Sequence, residues 1–232
     1  MASNEVKLLS SWISPYVLRA KIALNIKRVE FESIPETLFP KSDLLLKSNP
    51  VHKKIPVLIH GDRIICESLV IVQYIDEVWA SGPGILPSDP YDRAIARFWA
   101  AYIDDKWFPN VRALLVIEED EAKKATLEQI TEGLVLLEET FTKCSKGKKF
   151  FGGDNIGYLD IALGCFLAWL RVLERITDVI LLGETKTPLL FKWALDFSSE
   201  PVVQPDMPDI DKLHEYSKGF SQRLKAFDKK KK

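Results

Sequence analysis

One ten-residue stretch, SGPGILPSDP (Ser81 to Pro90), divides the chain, because its two glycines and three prolines can neither continue a helix nor supply a full strand ladder. On its N-terminal side short strand-like runs alternate with helix-like ones. On its C-terminal side the pattern is helical almost to the end. A change of period at such a break predicts two packed units of different class: residues 1–80, a linker at 81–90, and residues 91–232. With 47% hydrophobic residues in 232, there is enough apolar material for both cores.

In the first unit, VKLLSS (Val6 to Ser11) predicts a buried strand. Ser14-Pro15 opens a helix, since Pro15 lacks an N–H that would have no partner there and brings a φ that is already helical. Along it the apolar Val17, Ala20 and Leu24 and the basic Arg19, Lys21 and Lys27 sort onto different faces. VEFESI (Val29 to Ile34) reads as a second strand, parallel to the first across a right-handed crossover. LLLKSNPVHKK follows as a short helix and loop. IPVLIH (Ile55 to His60) and RIIC (Arg63 to Cys66) flank Gly61-Asp62, a two-residue hairpin connection. Glu67-Ser68 then launches an apolar helix through Leu69, Val72 and Ile75. The order βαβαββα predicts an α/β, thioredoxin-like domain.

The second unit reads as an all-α helical bundle. Tyr91 to Glu118 predicts one long helix, and Ala122 to Phe141 carries a stripe of Leu127, Ile130, Leu134, Leu137 and Phe141. Gly157 to Glu174 is apolar on every side, which predicts the centre of the domain. Asp160, three residues after Gly157, reads as a capping carboxylate rather than a catalytic one. Helices at about Pro188 to Ser198 and Ile210 to Phe227 complete the bundle.

Several classes of function are disfavoured by composition. Lys plus Arg number 32 against 33 Asp plus Glu, a net charge of -1, so there is no basic field for nucleic acid or anionic lipid. MASNEVKLLSSW has neither the basic flank nor the apolar run of a secretory signal, and no run is long and apolar enough for a bilayer; a cytosolic protein without a membrane partner is expected. Cys66, Cys144 and Cys165 fall in separate segments, suiting neither a disulfide framework nor a metal site. The final Lys229 to Lys232 reads as a solvated end.

Chemistry centres on Ser14. A serine before proline at a helix start is ordinarily an N-cap. Here it follows the first strand of a thioredoxin-like unit, where redox relatives carry C-x-x-C; the four residues are instead Ser14-Pro15-Tyr16-Val17, which excludes disulfide exchange through the protein. A hydroxyl at a helix N-terminus can donate to an anion belonging to a ligand. Lowering a thiol pKa from about 8.5 by about two units takes roughly 2.7 kcal/mol. One hydrogen bond to a charged group supplies about 1.5 to 3 kcal/mol, and helix-end amides up to about 1 kcal/mol more. A serine so placed is sufficient to hold a thiolate without histidine or metal.

NPVHKKIPVLIHGDRIICES adds the rest of a ligand site. Pro56 opens a strand; a cis peptide there would turn the Ile55 backbone towards an extended peptide, whereas an ordinary edge proline would not. Glu67 and Ser68 offer a carboxylate, a hydroxyl and free helix N–H groups to one zwitterion, or simply start a helix. Lys41, Lys53 and Lys54 offer ammonium groups to a second carboxylate, or are solvated. Together they suit a short peptide with a carboxylate at each end, and glutathione is one.

On SPYVLRAKIAL, KSDLLLKSNPVHKKIPVLIHGDRIICESLVIVQYIDE, RAIARFWAAYIDDK and FFGGDNIGYLDIALG, the chain resembles the tau class of plant glutathione transferases over nearly its whole length. The resemblance implies an enzyme of detoxification or stress metabolism that conjugates glutathione to hydrophobic electrophiles, with glutathione as co-substrate and no other cofactor. It implies Ser14 for the thiolate and Lys41 and Lys54 for the glycyl carboxylate. Ile55 would pair with the cysteinyl backbone, Pro56 would be the cis turn, and Glu67 and Ser68 would hold the γ-glutamyl end. It further implies a second-substrate pocket between the domains, with candidates Tyr16, Trp107, Phe108, Arg112, Leu115, Trp169 and Phe220, and a homodimer. A peroxidase using the same thiolate and a carrier of apolar ligands are alternative activities of this architecture. A cysteine-type thiol reductase is disfavoured by serine at position 14.

Overall fold

Leu8 and Leu9 are both fully buried, and they belong to different cores. That is the period of a strand covered on both faces. In the computed structural model, which describes residues 5–37, 40–80 and 82–229 and side chains through Phe220, β1 (Val6–Ser10) lies inside a four-stranded sheet of order β2-β1-β3-β4. It runs parallel to β2 (Glu32–Pro35) and antiparallel to β3 (Val57–His60), which in turn pairs antiparallel with β4 (Arg63–Cys66). Leu8 and Leu58 face α1 (Pro15–Ile26) and α3 (Ser68–Val78), while Leu9 and Val57 face Leu45 of α2 (Asp43–Ser48). Gly61 closes the β3–β4 hairpin at φ +62, a conformation open to glycine without steric cost. The tail residues 230–232 lie outside the described residues.

Beyond α3 the chain is helical, as the periodicity predicts. The elements are α4 (Pro90–Tyr102), α5 (Phe108–Ala113), α6 (Asp120–Ser145), α7 (Tyr158–Gly164), α8 (Leu167–Thr177), α9 (Pro188–Ser199) and α10 (Ile210–Lys229). The segment before α4 is fastened at both ends of its middle. Ile85 and Leu86 donate their N–H groups to Asp76, and the Ile85 carbonyl accepts from Tyr158.

Three expectations are corrected. The single helix expected over Tyr91 to Glu118 is three pieces, with a π-helical turn at Ile103–Trp107 closed by a Phe108 N–H to Ile103 carbonyl bond. Pro109 has no N–H for the Asp105 carbonyl and its ring crowds that oxygen, so the ladder shifts register just before it. The helix expected from Gly157 to Glu174 breaks at Cys165 and Phe166. Val29 is not in β2, because its N–H returns to the Leu24 carbonyl and Arg28 takes φ +53 to end α1. On the basic face of α1, Arg19 is 0% exposed, Lys27 is buried against Asp76 at 2.7 Å and the Pro83 carbonyl at 2.9 Å, and Lys21 pairs with Asp206 at 2.8 Å.

Asp160 is the capping carboxylate expected, and it does more than cap. It accepts the N–H groups of Phe151, Gly152 and Gly157 at 2.8 to 2.9 Å and the Trp193 indole at 2.7 Å, all from full burial. Burial pushes its carboxyl up to about 6, against the pull of those hydrogen bonds. Among the described residues no helix is long and apolar enough to cross a membrane. Asp160→Ala strands three backbone donors and an indole N–H in the interior; the expected loss, read from the urea midpoint, is at least ~3 kcal/mol.

Candidate active site

Two helix N-termini open on one cavity. Ser14 precedes α1 with extended backbone (φ -85, ψ 114), and its Oγ accepts the Val17 N–H at 3.3 Å. That bond uses a lone pair of the hydroxyl, so its proton is still available to donate outward. Glu67 precedes α3 at φ +70, a strained value for a side chain with a Cβ, and its own carboxylate makes no capping bond. The free N–H groups of α3 are thereby left facing the cavity side with Ser68. The Ile55–Pro56 peptide is cis, and Ile55 sits just before β3.

The cavity, about 840 Å³, runs from these helix ends to the second domain. On its first-domain side it is lined by Ser14, Lys41, Lys54, Ile55, Pro56, Glu67 and Ser68, together with Lys53. Also lining it are Tyr16 of α1 and, from the second domain, Phe108, Arg112, Leu115, Trp169 and Phe220. The rings form a wall: Phe108 stacks on Phe166 at 3.8 Å, Tyr16 meets both edge-on, and Trp169 and Phe220 are 5.8 Å apart. Trp169 also donates its indole N–H to the Ile13 carbonyl at 3.0 Å, tying α8 to the loop that carries Ser14. Burial, then Asp104, pushes the Tyr16 hydroxyl up to about 12, which keeps it a neutral phenol.

Of the residues proposed from sequence, Trp107 does not line this cavity. It is 1% exposed, donates to the Ile130 carbonyl at 3.2 Å, and lies so close to Gly133 that a Cβ there would meet its ring at 2.3 Å. It packs the π-helical turn against α6.

Comparison with known proteins gives the lineage. The family models described as "Glutathione S-transferase, N-terminal domain" and "Glutathione S-transferase, C-terminal domain" match residues 4–77 and 92–201. Glutathione S-transferase U17 of Arabidopsis thaliana is 60% identical over 227 residues, spanning 97% of this chain and 100% of that protein. The structure of a tau class glutathione S-transferase from mango, Mangifera indica, superposes with a TM-score of 0.90 at 62% identity, covering 92% of this chain and 97% of that one. The chain belongs to the tau class of the glutathione S-transferases. Rice GST1, solved in complex with glutathione, has a TM-score of 0.87 at 36% identity over 96% of this chain and 99% of its own.

In this transferase the group that joins the two halves of the cavity is Arg19, a basic residue of α1. Arg19 donates to Asp104 through both terminal nitrogens, at 2.8 and 2.6 Å, to Ser68 Oγ at 3.2 Å, to the Ala162 carbonyl at 2.7 Å and to Cys165 Sγ at 3.2 Å. Its guanidinium also lies 5.2 Å from the Tyr16 ring centre and 5.0 Å from that of Phe166. A cation in the interior persists only when paired and fully hydrogen-bonded, and this one is. Asp104 comes from the π-helical turn, so the register shift ahead of Pro109 is what brings its carboxylate to Arg19. The signal available in sequence was a basic residue on a helix with few polar neighbours. No motif distinguishes that from a solvated arginine.

Removing Arg19 leaves the Asp104 carboxylate beside an empty interior, so Arg19→Ala is expected to lose about 3–5 kcal/mol in urea unfolding. Arg19→Lys keeps the charge without the fork and falls between the two.

Proposed function

We propose that this transferase joins glutathione to hydrophobic electrophiles in the cytosol, and that Ser14 supplies the decisive interaction by donating its O–H to the glutathione sulfur. The observation that carries this reading is the Ser14 hydroxyl itself: it spends one lone pair on Val17 N–H and faces the cavity from a helix N-terminus, with its proton free. A donor there stabilises the anion of the ligand thiol, whose proton passes to solvent.

The rest of the tripeptide fits around that contact. The strained start of α3 offers Glu67 to the γ-glutamyl ammonium, and Ser68 with the free helix N–H groups to its carboxylate. Ile55 offers its backbone to the cysteinyl unit, next to Pro56, and Lys41 and Lys54 meet the glycyl carboxylate. Rice GST1 binds glutathione, and its similarity to this chain over nearly full length supports the same assignment here.

The second substrate sits on the wall of Tyr16, Phe108, Leu115, Trp169 and Phe220, with Arg112 at its polar edge. When it is an aryl chloride, the sulfur forms the new C–S bond and chloride leaves with the electron pair. The protein supplies proximity and a thiolate, and no group of its own becomes covalently attached.

Ser14→Ala removes one charge-assisted hydrogen bond, so turnover of an activated aryl chloride at neutral pH falls by ~10- to 100-fold. The pKa of the bound thiol rises by about one to two units, moving the rate profile to higher pH, while the KM for glutathione changes little. A variant that keeps wild-type turnover, or a bound thiol still protonated at pH 7 in the wild-type complex, refutes the assignment.

The working unit proposed is a homodimer. Its support is apolar surface left exposed on both domains, including Val51 in the first at 81% exposure and Phe98 in the second at 62%. Light scattering is expected to give twice the 26.4 kDa chain mass; the monomer mass contradicts it.

A further inference from the structure

Among the described residues, one buried side-chain polar atom has no hydrogen-bond partner: Glu36 Oε2. The residue is 9% exposed and lines the cavity alongside Lys41, Lys53 and Lys54. An unpaired carboxylate oxygen in the interior is unfavourable. What the rest of the residue holds explains why a carboxylate stands there.

Glu36 Oε1 accepts the Ser42 hydroxyl at 2.5 Å, and Ser42 Oγ accepts the Leu45 N–H at 3.0 Å as the N-cap of α2. At the other end of α2, the Asn49 side chain donates to the Lys54 carbonyl at 2.9 Å and accepts the His52 N–H at 3.0 Å. Lys41, next to Ser42, donates to the Lys53 carbonyl at 2.6 Å. Glu36, Ser42, α2 and Asn49 form a continuous strut that ends on the three lysines. In the opposite direction, the Glu36 N–H donates to the Ser10 carbonyl at 2.7 Å, and the neighbouring Ser11 carbonyl accepts the Ser14 N–H at 3.1 Å. Glu36 therefore links the segment that carries Ser14 to the segment that carries the lysines.

We propose that Glu36 is a positioning residue for the glycyl end of glutathione, holding the lysine segment in fixed relation to Ser14. The inference rests on the functional reading above and assigns Glu36 no contact with the ligand. A hydrogen bond to an ionised acceptor is stronger and shorter than one to a neutral acceptor, which suits a carboxylate as the anchor of the strut.

The test uses the full-length protein, a fixed activated aryl chloride, and two co-substrates: glutathione and γ-glutamylcysteine, which lacks the glycyl residue. Glu36→Ala is expected to raise the KM for glutathione about tenfold with kcat within about twofold, while the KM for γ-glutamylcysteine moves by less than about twofold. Glu36→Gln keeps an acceptor for Ser42 and recovers most of the loss; Ser42→Ala reproduces it. Equal rises in KM for both co-substrates, or none for glutathione, overturn the proposal. If Glu36→Ala does not fold, Ser42→Ala, which breaks the same hydrogen bond, is held to the same two outcomes. Wild-type protein inert with both co-substrates is a different failure, that of the functional reading, and shows before any variant is made.

Discussion

The Arg19 guanidinium is the fixed point of the molecule. It is fully buried, so each of its donors requires an acceptor, and those acceptors come from α3, the π-helical turn, α7 and the α7–α8 corner. Meeting that demand determines how the helical domain sits on the sheet domain, since Asp104 and the Ala162 carbonyl belong to one and Arg19 and Ser68 to the other. The same pairing passes through the cavity wall: Ser68 and Asp104 both line it, and both are held by Arg19. Domain docking and ligand-site geometry are thus one set of hydrogen bonds.

The cavity has two halves of different physical character. The half assigned to glutathione is made of helix ends and irregular backbone, where unpaired N–H groups, a strained Glu67 and a serine hydroxyl present polarity that no secondary structure consumes. The other half is a sheet of aromatic rings with Arg112 among them. Polar atoms that select one peptide lie opposite apolar surface that accepts many shapes, which is the division of labour expected of an enzyme with one fixed and one variable substrate.

Much of this was legible in the chain. The strand and helix order of the first part, the Gly61-Asp62 hairpin and the capping role of Asp160 follow from turn chemistry, capping chemistry and short-range pattern, whereas the grouping of Ser14, Lys41, Lys54, Ile55, Glu67 and Ser68 came with the resemblance to the tau class. Two cases show where such reasoning stops. Periodicity sets Arg19 and Lys27 on a different face from Val17, Ala20 and Leu24, but it does not report what covers each face, and both basic residues are buried. Trp107 was assigned to the cavity beside Phe108, yet only Phe108 faces it. Neighbouring residues on a helix point about 100° apart, and the π-helical turn sets which of the two rings faces inward. Glu36 was not singled out at all, since its significance is a missing partner, visible only once its surroundings are closed.

By itself, then, the sequence determined the βαβαββα order of the first part, the helical character of the second and the identity of the groups at the helix starts, because each depends on residues within a few positions of one another. Only the tertiary structure decided which charges are interior, which aromatic rings line the cavity and how α2 is braced against Ser14. Those outcomes depend on contacts such as Arg19 with Asp104 or Trp169 with Ile13. Such pairs lie far apart along the chain, and their energies exist only after two independently patterned domains have excluded water from between them.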